Sequence, residues 1–411
     1  MKLKENINLI KIENFKFKTN LISIYFTKKL ERENATKFAL LPLVLKRGTN
    51  NLNSQEEINK ELEELYGASF DYGVETSGDN HILKFNLEIL NDKFVKDGIL
   101  KKGIDLLFDI VFNPYIIEGN FNKEYVEQEK ENLKDIINAR SDDKRAYSSF
   151  RCVEETFKGR PYAVSRIGYI EDIKNINEKN LYEFYKKIIK DARIDIYVSG
   201  ENINIEEIKN NKYIFNLEDR KDNYYKEKVR EEFDENINII EDHMEIKQGN
   251  LAIGVLAKRD ENVKEGLEVL NAILGVGSNS KLFQNVREKA SLAYTAGSML
   301  QKQKDFILIK AGIEIKNYDK AVDIIKDQLE MLKKGEITKE EIDAAKEILT
   351  GSLLGIKDEQ EVEVFFNFRN DINNIKESVE EKIENIKKVE IKDVANLAKD
   401  LRIKTIYFLR D

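Results

Sequence analysis

The sequence has few of the side chains from which metal centres and disulfide frameworks are built. Its 411 residues include two histidines, His81 and His243, one cysteine, Cys152, and no tryptophan. A single cysteine excludes an internal disulfide, and Cys152 is expected to be a small, partly buried thiol. A catalytic zinc ion ordinarily takes three protein ligands, usually including histidine or cysteine. Two distant histidines could build such a centre only together with carboxylates, and an ordinary surface or strand-end position is the simpler prediction for both.

Long apolar runs and a strong excess of one charge are also missing. No stretch approaches the ~20 apolar residues of a membrane-spanning helix, and the first residues, Met-Lys-Leu-Lys-Glu-Asn, lack the apolar core of a signal peptide. Lys and Arg number 68 against 76 Asp and Glu, a net charge of −8. Phosphate binding needs a clustered basic surface. The sequence therefore predicts a cytoplasmic protein that binds neither nucleic acid nor membranes.

The length is too great for a single hydrophobic core and suits two domains of about 200 residues. Residues 206–235 are rich in Lys, Glu, Asp and Asn and contain few large apolar side chains, so they are predicted to be a charged linker. The predicted domains are therefore residues 1–205 and residues 236–411.

The two halves repeat one pattern of elements. In each, a strand and an apolar helix precede a charged helix, a hairpin and a further helix, and residues 41–51 correspond to residues 270–280. In the first half the charged helix opens with a capping box formed by Ser54 and Glu57. The repetition predicts an α+β fold of two homologous domains, each a largely antiparallel sheet with helices packed on one face.

The apolar helix of the first half, residues 34–47, contains Pro42, at which a kink or an early break is expected. It leads into Gly48 and Thr49. This stretch, together with residues 62–68, resembles the zinc helix and the following edge-strand segment of the insulinase-like (M16) zinc peptidases. Those enzymes carry His-x-x-Glu-His shortly before a Gly-Thr pair.

The resemblance implies that the zinc site is degenerate. Anchored on the Gly-Thr pair, the two histidine positions fall on Ala39 and Leu43, and the catalytic glutamate position falls on Pro42. An alkyl group has no lone pair for zinc, and proline cannot act as a general base. The family's third ligand is a glutamate on a later charged helix, where Glu127 and its neighbours, Glu129 and Glu131, are most simply solvated charges. No metal, no cofactor and no catalytic residue are therefore expected.

Residues 280–294, Ser-Lys-Leu-Phe-Gln-Asn-Val-Arg-Glu-Lys-Ala-Ser-Leu-Ala-Tyr, carry the strongest resemblance to the family. There an Arg and a Tyr seven residues apart contact the peptide, which here implies Arg287 and Tyr294. Arg offers a planar fork of donors, and a Tyr hydroxyl can donate to an oxygen that becomes negative. The alternative is a surface Arg and a Tyr packed in a strand. The preceding glycine turn implies substrate contacts at Gly275 and Gly277, with a plain helix–helix turn as the alternative.

The resemblance implies a non-catalytic, peptide-binding subunit whose partner is an M16 homologue that bears the zinc motif. A second hypothesis is a non-proteolytic scaffold linked to the modification of elongation factor P, as the zinc-less bacterial branch of the family is. A third is a stand-alone peptidase with an unusual metal site. A zinc-motif homologue encoded next to this chain would favour the first hypothesis.

Overall fold

Two compact units are built from segments that interleave along the chain. The computed structural model describes residues 1–96, 98–201, 203–221, 224 and 232–411. The first unit consists of Met1–Asn138, Val164–Glu227 and Glu359–Asn374, and the second of Ala139–Ala163, Lys228–Asp358 and Ile375–Asp411. A short segment from each half of the sequence therefore belongs to the unit formed mainly by the other half.

The described residues form thirteen strands, fifteen α-helices and one π-helix, Phe283–Lys289. The strands are β1 (Lys2–Lys4), β2 (Ile7–Glu13), β3 (Thr19–Lys29), β4 (Ser69–Ser77), β5 (Asn80–Leu90), β6 (Ile116–Ile117), β7 (Asn120–Phe121), β8 (Arg193–Gly200), β9 (Asn238–His243), β10 (Gly249–Leu256), β11 (Ala293–Gln301), β12 (Phe306–Ile313) and β13 (Arg402–Arg410). The helices are α1 (Ala35–Leu45), α2 (Gln55–Glu64), α3 (Leu100–Phe112), α4 (Lys123–Ala139), α5 (Lys144–Thr156), α6 (Ile170–Ile173), α7 (Glu178–Asp191), α8 (Ile205–Lys209), α9 (Lys212–Phe215), α10 (Gly266–Gly275), α11 (Tyr318–Lys333), α12 (Lys339–Gly355), α13 (Gln360–Ile372), α14 (Val379–Lys388) and α15 (Ile391–Ala398). None of these helices is long and apolar enough to cross a lipid bilayer.

The two large sheets share one topology over five strands, and the first has β1 as an additional edge strand. The first has the order β1-β2-β8-β3-β5-β4, and the second, read from its far edge, has the order β9-β13-β10-β12-β11. Strands β2 and β8 are parallel, as are β9 and β13, and every other pair in the two sheets is antiparallel. The predicted α+β fold with two homologous, largely antiparallel sheets is therefore confirmed.

Each sheet also carries one helix on its second face. Helix α13 packs on strands β3 and β8 of the first sheet, where Phe368 stacks on Tyr25 with ring centroids 4.1 Å apart. Helix α5 packs on strands β10, β12 and β13 of the second. Both helices lie far along the sequence from the strands that they cover. Their local patterns could not indicate which sheet they would reach.

The main core of the first unit lies between its sheet and helices α1, α3 and α7. Ile208, Ile214 and Leu217, which lie in the predicted linker of residues 206–235, belong to this core, and helices α8 and α9 carry the first two. The low apolar content of this stretch did not indicate that three of its large apolar side chains would be buried in a core. Residues 222–223 and 225–231 of the predicted linker lie outside the described residues.

Helix α1 continues through Pro42 to Leu45, so the expected early break is absent. Proline has no N–H to offer the carbonyl of Phe38 and should weaken the helix there. The helix persists because it is apolar nearly all round and most of its residues are buried. The burial of these side chains outweighs the destabilising effect of proline on the helix, because each large apolar side chain that is buried stabilises the fold by about 1.5–3 kcal/mol.

Candidate functional site

The three positions at which the sequence resemblance places a degenerate zinc motif lie in or against the core of the first unit. Ala39 is 5% exposed, Pro42 is buried, and Leu43 is partly buried against the same core. None of these side chains has a lone pair to offer a metal. Among the described residues, no three His, Cys, Asp or Glu side chains are grouped closely enough to hold a metal ion. The residues at these positions do not fit zinc.

Glu129 is fully buried, which corrects the expectation that the charges of helix α4 are all solvated. Its Oε1 lies 3.3 Å from Nη1 of Arg47, and its Oε2 accepts a hydrogen bond of 2.9 Å from Asn132. Glu127 and Glu131 are exposed and pair with lysines on the same helix, as expected. The buried carboxylate of Glu129 is therefore paired with the guanidinium of Arg47.

His81 is buried and serves the fold. It stacks on Phe38 with ring centroids 4.0 Å apart, and its Nε2 lies 2.9 Å from the carbonyl oxygen of Arg166. Burial lowers the pKa of His81 to about 3. The ring is therefore neutral, and its Nε2–H donates to that oxygen. His243, the last residue of β9, is exposed, as expected for a strand-end residue.

Cys152 lies fully buried on helix α5, deeper than the partly buried position expected for it. Burial raises the pKa of its thiol to about 12. The nucleophile and metal ligand is the thiolate, so the protonated, buried Cys152 does not act as either.

His81 makes the free energy of unfolding depend on pH. The pKa of His81 in the folded state is below the ordinary value of 6.5. The neutral ring therefore stabilises the fold above pH 6.5, and this stabilisation is lost as the pH falls toward 3. Wild type should therefore lose about 1.4 kcal/mol more than His81→Gln between pH 7.5 and 5.5. Chemical denaturation at both pH values measures this difference. His243→Gln is the control for loss of an exposed histidine, and equal losses in wild type and His81→Gln would contradict the prediction.

The segment of residues 280–294 in the second unit is anchored through partly buried polar contacts. Lys281 is 3% exposed, and its Nζ donates to both carboxylate oxygens of Glu341, at 2.9 and 3.0 Å, and to the carbonyl oxygen of Glu336. Asn285 donates a hydrogen bond of 2.6 Å to Gln328. Leu282 is fully buried. The inner side of the segment is thus fixed to helices α11 and α12.

The backbone of this segment is irregular where the candidate residues lie. Arg287 belongs to the π-helix, a form that often marks functional sites. Ser291 follows with a φ of +53°, in the left-handed region. Tyr294 is the extra residue of a β-bulge, because Ala293 pairs with Ile313 while Thr295 pairs with the adjacent Gly312. Bulges commonly re-aim a side chain beside an active site.

The side chains of Arg287 and Tyr294 both point toward solvent. The Arg287 side chain is 44% exposed; its Nε lies 3.5 Å from Glu288, and its guanidinium lies over the ring of Phe283. Tyr294 is 66% exposed, and its hydroxyl has no hydrogen-bond partner among the described residues. A tyrosine that served only to pack within the strand would be covered instead. Both groups are therefore available to a ligand.

The two candidate glycines are required by the fold. A Cβ on Gly275 would lie 2.4 Å from the backbone nitrogen of Ser298, and Gly277 has a φ of +81°. Gly275 also lines a cavity of about 410 Å³ formed by strands β10, β11 and β12 with helix α5. The Ser280 hydroxyl donates to the carbonyl oxygen of Gly277 within the turn that precedes the π-helix. Close packing at Gly275 and the left-handed backbone at Gly277 explain why both residues are glycine without any role for a ligand. Contact of the two glycines with substrate stays a prediction.

Comparison with known proteins agrees with this description. The chain is 34% identical over 415 aligned residues to a Bacillus subtilis protein described as "Probable inactive metalloprotease YmfF", covering 98% of this chain and 95% of that one. The chain belongs to the M16 peptidase family. The family model for the "Peptidase M16 inactive domain" matches residues 175–349. These matches identify this M16 chain as an inactive peptidase homologue.

Solved structures share the fold of this M16 chain over its whole length. A conserved protein from Enterococcus faecalis superposes with a TM-score of 0.93 at 28% identity, covering 100% of this chain and 97% of that one. A protease from Helicobacter pylori superposes with a TM-score of 0.78 at 18% identity, covering 100% and 98% respectively. The second likeness is one of fold alone.

Proposed function

We propose that this chain is the substrate-binding subunit of a cytoplasmic, heterodimeric zinc peptidase. The partner is an M16 homologue that carries His-x-x-Glu-His and does the metal chemistry. This chain contributes Arg287 and Tyr294, which hold the peptide, and the glycine turn at Gly275 and Gly277 lies beside it. Cleavage needs both chains.

The observation that carries the proposal is a contrast between the two units. In the first, apolar side chains such as Ala39 and Leu43 stand where the resemblance places the zinc ligands, and they belong to or pack against the core. In the second, Arg287 and Tyr294 remain exposed on a segment held by the ion pair of buried Lys281 with partly buried Glu341. Two exposed polar groups on a rigid support are what recognition of a peptide requires.

Metal analysis of the purified native complex tests this division of labour. This chain should co-purify with a zinc-motif homologue, and the complex should contain one zinc per heterodimer, with less than about 0.1 zinc on this chain alone, because too few ligands remain to bind it. A pulldown dominated by enzymes that modify elongation factor P, without such a homologue, would favour the scaffold. One zinc per isolated chain after mild chelation would refute the proposal.

A further inference from the structure

A small acidic cavity lies on the face of the first sheet that helix α13 covers. Its volume is about 230 Å³. Asn86 of strand β5 lines it, together with four carboxylates: Asp71 on β4, Glu88 on β5, and Glu359 and Glu361 at the start of α13. All these residues belong to the first unit. None of them takes part in the site described above.

The side-chain amide of Asn86 is buried and makes no hydrogen bond with the described residues. It is 3% exposed, and neither its Oδ1 nor its Nδ2 has a hydrogen-bond partner among the described residues. Residue 86 pairs with Asp71 in the register of the sheet, and alternation along β5 places it on the same face as Glu88. A buried polar group without a partner destabilises the folded state. An apolar residue would be more stable at this position unless a ligand uses the amide.

The carboxylates around Asn86 are only partly neutralised. The Nζ of Lys84 lies 2.8 Å from Oδ2 of Asp71 and 2.7 Å from Oε1 of Glu361. Glu88 and Glu359 are exposed and have no ion pair among the described residues. Four carboxylates against one ammonium leave a formal charge of −3. The cavity therefore attracts a cation.

We propose that this cavity, the Asn86 cavity, binds the guanidinium or ammonium group of a basic peptide side chain. An organic cation fits better than a metal ion, because no three carboxylates among the described residues converge on one point. The Asn86 Oδ1 accepts a hydrogen bond from the cation, and its Nδ2 donates to a carbonyl oxygen of the same peptide. Glu88 and Glu359 supply charge at the rim.

The inference rests on the proposed function only in taking the cation to be part of a peptide. Binding is measured on this chain alone, in the absence of any partner. Failure of the cavity to bind would therefore leave the heterodimer untested, and failure to find a partner would leave the cavity intact as a binding site.

Calorimetric titration with matched probes tests the charge requirement. The probes are acetyl-Gly-Gly-Arg-Gly-Gly-amide, the same peptide with neutral citrulline in place of arginine, and free spermidine. The arginine peptide should bind at least tenfold more tightly than the citrulline peptide, and added salt should weaken it. Equal binding of the two peptides would overturn the proposal, and binding of spermidine with no binding of the arginine peptide would overturn the assignment to a peptide.

Substitutions of residues that line the Asn86 cavity test whether the arginine peptide binds there. Glu88→Gln and Glu359→Gln should each weaken the arginine peptide several-fold, while Glu64→Gln, an exposed glutamate of helix α2, should change nothing. Asn86→Val should abolish binding and raise the melting temperature (Tm), because it removes an unsatisfied amide from a strand that favours β-branched residues. A lowered Tm with binding intact would assign Asn86 to the fold. If this variant fails to fold, unchanged affinity in both glutamate variants still overturns the proposal.

Discussion

Replacing Arg287 with alanine should lower kcat/KM of the reconstituted heterodimer at least a hundredfold and leave the Tm of this chain unchanged. Tyr294→Phe should do the same. Losing one donor to a developing oxyanion typically costs ~3 kcal/mol of transition-state stabilisation. Both side chains are substantially exposed, and the Tyr294 hydroxyl has no partner within the described part of the chain. Their removal therefore takes contacts from the peptide rather than from the core.

The measurement pairs steady-state cleavage of a peptide by the complex with thermal melts of the isolated variants. Lys289→Ala is the matched control, because Lys289 is an exposed cation of the same π-helix whose one hydrogen bond among the described residues is to Asn285. It should retain nearly full activity. Unchanged cleavage in Arg287→Ala together with a lowered Tm would assign the residue to the fold and support the scaffold hypothesis.

Arg47→Met should destabilise the first unit by about 3–5 kcal/mol, because it leaves the carboxylate of Glu129 buried without its cation. At 2–4 °C per kcal/mol for a unit of this size, Tm should fall by roughly 10 °C. The double variant Arg47→Met/Glu129→Leu should recover most of this loss, since an apolar pair of similar volume often replaces a buried ion pair without cost. Thermal melts of the single and double variants measure both effects.

Lys130→Met provides the control on the same helix. Lys130 pairs with the exposed Glu127, and a surface pair of this kind contributes at most about 1 kcal/mol. Equal destabilisation by Arg47→Met and Lys130→Met would contradict the claim that burial of Glu129 sets the size of the effect. A double variant less stable than Arg47→Met would show that Glu129 stabilises the fold through Asn132 instead.

Local pattern was sufficient to predict much of the fold. The capping box of Ser54 and Glu57 begins helix α2 as expected. The hairpin predicted after this charged helix is formed by strands β4 and β5. These elements could be predicted because the residues that indicate each of them lie within a short stretch of sequence. Helices α5 and α13 were not predicted, and the contacts that define their places are with strands far away in sequence.

The sequence by itself determined that the side chains at the predicted zinc-ligand positions, Ala39 and Leu43, cannot bind zinc. A side chain's donor atoms are fixed covalently, and no fold can give Ala39 or Leu43 a lone pair. The tertiary structure alone decided which polar groups are buried and which face solvent. Glu129 and Asn86 lie in stretches that read as ordinary helix and strand, yet one is buried against an arginine and the other is buried without a partner. Burial depends on packing between distant segments, and no local pattern encodes it.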